Sequence, residues 1–230
     1  VSLGGTWAAQ SGNPAAATIT NAGAVSGMSA NGTYNFIYTL NGCTDTVSVI
    51  RNAKPDAGTN QSICAPTTTA TLTAVSLGGT WAAQSGNPAA ATVTNAGAVS
   101  GMTSNGTYNF IYTLNGCTDT VAVIRNAKPN AGTNQSICAP ITTAALTATP
   151  SGGTWSAQAG NPAAATVTNA GAVSGMTLNG TYNFIYTLNG CTDTVAITRN
   201  PEPIQVNLTP ATICENQSLT YNDPSGTNGT

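Results

Sequence analysis

The sequence contains no histidine and very little charge, with five basic and seven acidic residues among 230. Without histidine, a serine or cysteine nucleophile lacks its usual general base, and zinc lacks one of its common ligands. The five basic residues form no patch that could neutralise the phosphates of a nucleic acid. We therefore expect a protein that is not an enzyme, has no cofactor or metal ion and does not bind nucleic acid.

Long apolar runs are missing as well. No segment approaches the roughly 18 apolar residues that a transmembrane helix requires, so no membrane span is expected in this sequence. Nor is a secretory leader visible, with its charged and then apolar segment. Low charge alone can indicate disorder, but disordered chains are poor in aromatic and β-branched residues. Such residues occur here in regular clusters, which predicts folded domains.

What the sequence does contain is an internal repeat, marked by Trp7, Trp81 and Trp155, which are spaced 74 positions apart. Residues 1–74 and 75–148 differ at only seven positions, all by mild substitutions. Repetition of this fidelity is typical of arrays, in which one small unit is used many times to supply length, valency or a lattice.

The clearest local pattern lies between Gly106 and Arg125. Large apolar residues occupy every second position from Tyr108 to Leu114, which predicts a strand with one buried face. Asn115-Gly116 then supplies a type I′ turn, which needs positive φ at both positions, and Thr118–Ile124 returns as the second strand of a hairpin. Shorter strands are predicted upstream, at 69–74, 78–84, 89–94 and 97–101. Short strands with frequent turns and no helical period predict an all-β sandwich.

Domain boundaries are predicted where Pro55 and Pro129 would interrupt a strand. All five basic residues lie near these junctions, where we expect them to remain solvated: Arg51, Lys54, Arg125, Lys128 and Arg199. The predicted division is a partial domain that contributes only its C-terminal part at 1–54, complete domains at 55–128 and 129–202, and the start of a divergent domain at 203–230.

The six cysteines recur at fixed positions, which favours disulfides and an oxidising, extracellular compartment. We predict the pairs Cys64–Cys117 and Cys138–Cys191, each closing about 54 residues and stabilising its thin-cored domain by roughly 4 kcal/mol. Cys43 and Cys214 then have no partner in this chain. The alternative pairs, Cys43–Cys64 and Cys117–Cys138, would cross each linker and leave each sandwich unclamped. A zinc site is disfavoured because no CxxC spacing occurs.

Two residues of the repeat resemble those of immunoglobulin-like sandwiches. Trp81 lies on the predicted third strand, and Gly106-Thr107-Tyr108 opens the penultimate one. In such sandwiches the tryptophan fills the core and the tyrosine makes a corner hydrogen bond. The resemblance thus implies tandem antiparallel sandwiches arranged as beads on a string, with a core built on these positions in every repeat: Trp7, Trp81, Trp155, Tyr34, Tyr108 and Tyr182. A disulfide that does not join the two central strands would depart from antibody domains.

The unit as a whole, "AGTNQSIC…TLTA…GGTW…ATVTNAGAVSGMTLNGTYNFIYTLNGCTDTVAV", resembles the Ig-like or PKD-like repeats of giant surface proteins from Bacteroidota. These include gliding-motility adhesins exported by type IX secretion. The resemblance implies an extracellular, cell-surface role that is adhesive or fibrous, and it implies no particular ligand.

The Asp-Thr-Val sequence recurs in each copy and resembles the general O-glycosylation signal of Bacteroidota. It makes three threonines candidate glycan sites: Thr46, Thr120 and Thr194. Ordinary strand alternation, with threonine facing outward and valine inward, explains the same pattern without modification.

Two devices that stiffen surface stalks are not supported by the residues. A calcium site between domains needs clustered carboxylates, but Asp56 of one junction is replaced by Asn130 in the next. An intradomain isopeptide bond needs a lysine in the core, whereas Lys54 and Lys128 lie in the predicted linkers.

Two functions remain for such an array. As a stalk, it projects an adhesive tip or presents weak sites multivalently, with neighbouring repeats as its partners. As a filament or sheath, its subunits associate with one another, and the low charge leaves little repulsion between neighbouring rods. In one form of this homo-oligomer, residues 203–230 complete the domain 1–54 of the next subunit, with Cys214 bonded to Cys43. Binding of surface glycans has little support, because one tryptophan per repeat is better used in the core.

Overall fold

The structure, a computed structural model, describes residues 4–203 and 212–218. It divides into two compact units, Val1–Ala127 and Lys128–Thr230. The first unit contains strands β1 (Thr6–Ala9), β2 (Thr18–Ile19), β3 (Val25–Ser26), β4 (Gly32–Leu40), β5 (Cys43–Arg51), β6 (Gln61–Cys64), β7 (Ala70–Thr71), β8 (Thr80–Ala83), β9 (Thr92–Val93), β10 (Ala98–Ser100), β11 (Gly106–Leu114) and β12 (Cys117–Asn126). The second contains β13 (Gln135–Cys138), β14 (Ala144–Ala145), β15 (Thr154–Ala157), β16 (Thr166–Val167), β17 (Ala172–Ser174), β18 (Gly180–Leu188) and β19 (Cys191–Asn200).

Each complete repeat consists of two sheets. In the first unit, one sheet has the order β6-β12-β11-β8, in which β6 runs parallel to β12 and the other neighbours are antiparallel. The other sheet is antiparallel, with the order β7-β10-β9. The second unit repeats both sheets as β13-β19-β18-β15 and β14-β17-β16. Seven strands divided in this way form the immunoglobulin-like sandwich, which confirms the predicted fold class.

The two sheets enclose one core in each complete repeat. In the first unit, Tyr108, Phe110 and Val123 of the larger sheet pack with Val99 of the smaller sheet and with Met102, which follows it. All five side chains are at most 3% exposed. The second unit builds the same core from the residues 74 positions further on: Val173, Met176, Tyr182, Phe184 and Ile197. The alternation in the sequence therefore marks the buried face correctly, because successive strand residues point to opposite sides of a sheet.

The hairpin forms as predicted. Asn115 and Gly116 have φ angles of 50° and 78°, the left-handed values that a type I′ turn requires. Strands β11 and β12 then pair along their whole length, from Leu114 opposite Cys117 to Gly106 opposite Arg125.

The tyrosine corner is also present. The hydroxyl of Tyr108 donates to the carbonyl of Ser104 at 2.8 Å and accepts from its backbone N–H at 3.1 Å. Trp81 lies on the third strand of its sandwich, is 8% exposed and packs against Tyr112, with ring centroids 4.8 Å apart.

The N-terminal repeat is less complete. Its described residues form the sheet β1-β4-β5 and the two-stranded sheet β2-β3. Tyr34 is fully buried, but Trp7 is only half-buried, in contrast to Trp81 and to Trp155, which is 7% exposed. Residues 4–54 contain no counterparts of β6 and β7, the first two strands of the complete repeat.

The division into two units falls after Ala127, within the segment that the sequence predicts as a linker. Residues 4–54 and the complete sandwich that follows them belong to the same unit. The four-domain division stays a prediction, and the divergent domain expected at 203–230 lies mostly outside the described residues.

One expectation about the junctions is wrong. Arg125 and Arg199 are not solvated linker residues, since each is only 8% exposed and lies inside the last strand of its sandwich. Arg125 donates from Nε to the carbonyl of Thr67 at 2.8 Å and from Nη1 to Oδ1 of Asn105 at 2.6 Å. These hydrogen bonds replace those that the guanidinium would make with water. A buried charge usually requires such partners.

Candidate functional site at the repeat junction

The linker lysine is bound to the sandwich that follows it. Lys54 lies between β5 and β6, and its Nζ is 2.6 Å from Oδ1 of Asp119, the third residue of β12. The other carboxylate oxygen, Oδ2, accepts a hydrogen bond of 2.9 Å from the backbone N–H of Ala57. Lys54, Ala57 and Asp119 form what we call the junction cluster. One carboxylate thereby holds two points of the linker against the edge of the hairpin.

The same cluster recurs in the second unit. Lys128 Nζ lies 2.7 Å from Oδ1 of Asp193, and the backbone N–H of Ala131 donates to Oδ2 at 2.8 Å. Because Lys54, Ala57 and Asp119 recur 74 positions further on as Lys128, Ala131 and Asp193, the cluster belongs to both complete repeats. In the third copy, Glu202 occupies the position of the lysine, so the pair cannot form there.

The electrostatics of the cluster are those of a stabilised carboxylate. The hydrogen bond from the Ala57 backbone, followed by the one from Lys54, lowers the pKa of Asp119 below its ordinary value, against an opposing effect of burial. The backbone of Ala131 and then Lys128 lower the pKa of Asp193 in the same way. Both carboxyls are therefore held ionised at neutral pH and are occupied by the linker, so neither is available as an acid or base.

A second contact joins the linker to the tip of the hairpin. The side chain of Asn52, the residue after β5, donates to the carbonyl of Asn115 at 2.7 Å. The Sγ of Cys117 lies 3.9 Å from the carbonyl oxygen of the same Asn52. The end of one repeat therefore lies against the start of the last strand in the next.

The exchange of Asp56 for Asn130 has a structural explanation. Asp56 Oδ1 accepts a hydrogen bond from the N–H of Gly58 at 2.8 Å, and Asn130 Oδ1 accepts the equivalent bond from Gly132 at the same distance. Only one carbonyl-like oxygen is used, so either residue closes the turn. Within residues 4–203 and 212–218, no three acidic or cysteine side chains are placed to hold a metal ion.

The predicted disulfides, Cys64–Cys117 and Cys138–Cys191, are not formed. Cys117 and Cys138 are free thiols, whereas Cys64 and Cys191 each take part in a disulfide. The parallel register places Cys64 opposite Asn126, at the far end of β12 from Cys117. Nine residues of strand at about 3.3 Å each separate the two by roughly 30 Å, and a disulfide requires Cα atoms within about 7 Å.

The same geometry separates Cys138, opposite Asn200, from Cys191 at the start of β19. The alternative pairs also fail, because they require bonds to Cys43 and Cys117, which are free, as is Cys214.

The candidate glycan sites lie at the surface. Thr46, Thr120 and Thr194 are all exposed, each on the outer face of the last strand of its repeat. Their preceding aspartates differ, since Asp45 only accepts a hydrogen bond from the N–H of Thr46, whereas Asp119 and Asp193 bind the linker. Glycosylation stays a prediction.

Sequence reasoning missed the junction cluster, because it assigned the aspartates to a modification motif and the lysines to solvated linkers. The separation in sequence between Lys54 and Asp119 is the same as that between Lys128 and Asp193, but a duplication reproduces every separation, so the spacing gave no signal of a contact.

Shallow depressions beside the tryptophans offer little for a ligand. The depressions next to Trp81 and Trp155 each have a volume of about 250 Å³. Trp81 and Trp155 are only 8% and 7% exposed as residues, so neither offers a sugar a broad aromatic surface. Among the described residues, no helix is long and apolar enough to cross a membrane.

No known protein family and no curated protein matches this sequence. Solved structures are similar to it at low identity. They include extracellular domains 3–5 of Drosophila OTK (12% identity, covering 75% of this chain and 71% of that one, TM-score 0.33). The I67–I69 fragment of titin is 12% identical, covers 86% of this chain and 88% of that one, and has a TM-score of 0.29. Immunoglobulin domains 1–4 of Sidekick-1 are 14% identical, cover 86% of this chain and 67% of that one, and have a TM-score of 0.31. The immunoglobulin-like fold of this chain is established by its own strand order and tyrosine corner.

Proposed function

We propose that this chain is a non-enzymatic structural segment of an extracellular fibrous surface protein, in which it serves as an adhesin stalk. The observation that carries the proposal is the recurrence of the junction cluster, Lys54–Asp119 and then Lys128–Asp193, at the start of consecutive repeats. A linker held at two points is stiffer than a free one of the same length, and a stalk needs stiff junctions to project its tip.

Two further observations support this assignment. The chain has no histidine, and the recurring aspartates that are closest to the linkers are bound by lysine and backbone N–H groups. The presence of a disulfide favours an oxidising compartment outside the cytoplasm. The resemblance to Bacteroidota surface repeats would then extend to export by type IX secretion and to surface glycans as partners of the whole protein.

A second candidate, a self-associating filament or sheath, is favoured by a patch of exposed apolar side chains. Val75 and Leu77 lie between β7 and β8 and are 70% and 87% exposed. The equivalent positions in the next repeat are Thr149 and Ser151, so the patch is not required by the fold. An apolar pair on a surface with almost no charge favours lateral contact between chains.

Light scattering of the 230-residue chain, followed by negative-stain imaging, separates the two functions. A stalk gives a monomeric mass near 22.8 kDa and single thin threads at all concentrations. A filament gives bundles or helical fibres with a regular axial repeat, which would overturn the stalk. The variant Leu77→Ser, which copies Ser151 of the next repeat, is the matched control. If the wild-type chain forms fibres and this variant does not, the apolar patch makes the lateral contact.

A further inference from the structure

The Asn-Gly dipeptide occurs at two places in every repeat, and the structure surrounds the two differently. The corner pairs begin the strand that carries the tyrosine corner: Asn31-Gly32, Asn105-Gly106 and Asn179-Gly180. The tip pairs form the turn of the hairpin: Asn41-Gly42, Asn115-Gly116 and Asn189-Gly190. In this dipeptide an asparagine loses its side-chain amide most readily, because glycine has no side chain to hinder attack by its own backbone nitrogen. One reaction can therefore be compared at two places of the same fold.

The reaction is a cyclisation followed by a hydrolysis. The backbone nitrogen of the glycine loses its proton and bonds to Cγ of the asparagine, and the side-chain nitrogen takes up a proton and leaves as ammonia. Water then opens the succinimide at one of its two carbonyls, which gives aspartate or isoaspartate. No electrons are transferred, and water is the only co-reactant. The reaction therefore needs a glycine nitrogen that is free of the sheet and able to approach Cγ.

The glycine of the corner pair belongs to the sheet. Leu114 and Cys117 face each other across a two-residue turn, so they form a hydrogen-bonded pair of the antiparallel ladder. Hydrogen-bonded and non-hydrogen-bonded pairs alternate along such a ladder, which makes Gly106 and Arg125, eight residues further along each strand, a hydrogen-bonded pair as well. The backbone nitrogen of Gly106 is therefore occupied by the carbonyl of Arg125.

Side-chain contacts hold the corner pair in place. Oδ1 of Asn105 accepts a hydrogen bond from Nη1 of Arg125 at 2.6 Å, which fixes the amide that would have to turn toward the glycine nitrogen. A Cβ on Gly106 would lie 2.7 Å from Cγ of Pro88, so this backbone is closely packed. The other repeats share both contacts, through Arg51 with Asn31 and Pro14 with Gly32, and through Arg199 with Asn179 and Pro162 with Gly180. The corner pair must therefore open before it can cyclise.

The tip pair is open by comparison. Asn115 and Gly116 are both exposed and lie between β11 and β12, outside the ladder. A Cβ on Gly116 would meet nothing within 4 Å, and the same is true of Gly42 and Gly190. The backbone around the glycine of the tip can therefore move without breaking a pair of the sheet.

We propose that the tip asparagines, Asn41, Asn115 and Asn189, convert to aspartate and isoaspartate in the folded protein, whereas the corner asparagines are protected. A reaction that needs local opening proceeds at a rate set by the population of the open form. The corner pairs pay this penalty and the tip pairs do not. The inference does not depend on whether the array is a stalk or a filament.

The modification acts on a contact between the linker and the hairpin. The carbonyl of Asn115 accepts a hydrogen bond from the side chain of Asn52 at 2.7 Å. In isoaspartate the main chain runs through Cβ and Cγ, and the former backbone carbonyl becomes part of a free carboxylate. The turn gains one main-chain atom, so the two-residue type I′ geometry is lost. Each conversion also adds one negative charge to a chain of formal net charge −2. Conversion at Asn115 therefore loosens the end of the hairpin against which the linker lies.

Peptide mapping tests the proposal. The 230-residue chain is incubated at mildly alkaline pH, once folded and once unfolded in guanidinium chloride, and is then reduced, alkylated and cleaved with trypsin. Cleavage after the arginines gives peptides 1–51, 52–125 and 126–199, since both lysines precede proline and resist trypsin. Each peptide contains one corner and one tip asparagine, so every peptide carries its own matched control. Fragment ions locate the conversion, and digestion in oxygen-18 water marks any product that forms during the work-up.

In the folded chain we expect conversion about tenfold faster at Asn115 than at Asn105, because only the corner pair must open first. In the unfolded chain the two should react at similar rates, since both are followed by glycine. Three results would each overturn the proposal: equal rates at the two sites in the folded chain, the same ratio in the folded and unfolded chains, or no conversion at the tips while the unfolded chain reacts. The same comparison applies to Asn31 with Asn41 and to Asn179 with Asn189.

Discussion

The backbone N–H of Ala57 donates a hydrogen bond to Oδ2 of Asp119, near the other end of the same repeat, while Lys54 binds the other oxygen. The beginning of the sandwich is thus tied to its last strand by one side chain. Because the same arrangement recurs at Ala131 and Asp193, each repeat orients its own linker. The two clusters use four of the twelve charged residues in the sequence: Lys54, Asp119, Lys128 and Asp193.

Removal of the two junction carboxylates should destabilise the protein. In the double variant D119N/D193N, we expect a loss of about 1 kcal/mol per site at pH 7, since a charge-assisted hydrogen bond is lost but the lysines are largely exposed. D45N is the matched control, because Asp45 is exposed and, among the residues that the structure describes, binds only the N–H of Thr46. Urea unfolding provides the measurement, and an equal effect of D45N would contradict the role of the cluster.

The contribution of these carboxylates should depend on pH in a defined direction. Their pKa values are lowered in the folded protein, so the unfolded chain binds protons more readily. The stability they supply is present above the unfolded value of about 3.9 and is lost as the pH falls through the lower folded value. The difference in urea midpoint between wild type and D119N/D193N should therefore shrink toward pH 2. A constant difference from pH 7 to pH 2 would argue against an ionic origin.

Replacement of the buried arginine should be costly. R125M leaves the carbonyl of Thr67 and the side chain of Asn105 without their donor, and we expect a loss of about 2–3 kcal/mol in the free energy of unfolding. Arg51 is the equivalent residue of the N-terminal repeat, but it is exposed and binds only Asn31. R51M should therefore cost less than about 1 kcal/mol. Thermal unfolding followed by circular dichroism compares them, and similar losses would contradict the importance of burial.

The tyrosine corner can be tested by removing one oxygen. Y108F removes both hydrogen bonds to the backbone of Ser104, and we expect a loss of about 1–2 kcal/mol. The side chain of Ser104 takes no part, and its counterparts are Ala30 and Leu178. S104A should thus leave the unfolding midpoint within experimental error. If Y108F also has no effect, the corner is not a source of stability.

Two glycines with nearly the same φ allow the cost of backbone strain to be measured separately from the cost of a steric clash. Gly97 and Gly86 have φ angles of 85° and 84°. A Cβ on Gly97 would lie 2.1 Å from the carbonyl oxygen of Leu72, whereas one on Gly86 meets nothing within 4 Å. G86A should cost only the strain, about 1–2 kcal/mol. G97A should cost about 1–3 kcal/mol more, because the neighbouring backbone must shift. Equal urea midpoints for the two variants would show that the backbone at Leu72 can shift without a loss of stability.

The local elements were predictable because their causes are local. Alternation from Tyr108 to Leu114 identifies the buried face, and Asn115-Gly116 identifies the turn, since positive φ at two positions favours these residues. The tyrosine corner joins Tyr108 to Ser104, which is close to it in sequence. The repeat then extends each of these predictions to the next copy without further information.

The sequence by itself determined the repeat, the hairpin, the corner and the all-β fold, whereas the tertiary structure decided which ends of the strands meet. Whether β6 pairs with β12 in parallel depends on contacts between opposite ends of the repeat, which leave no periodic signal in the sequence. That pairing places Cys64 and Cys117 at opposite ends of one sandwich. It also brings the buried Arg125 within hydrogen-bond distance of the carbonyl of Thr67. It also brings Lys54 to Asp119, because these two residues are far apart in sequence and come into contact only when the repeat is folded.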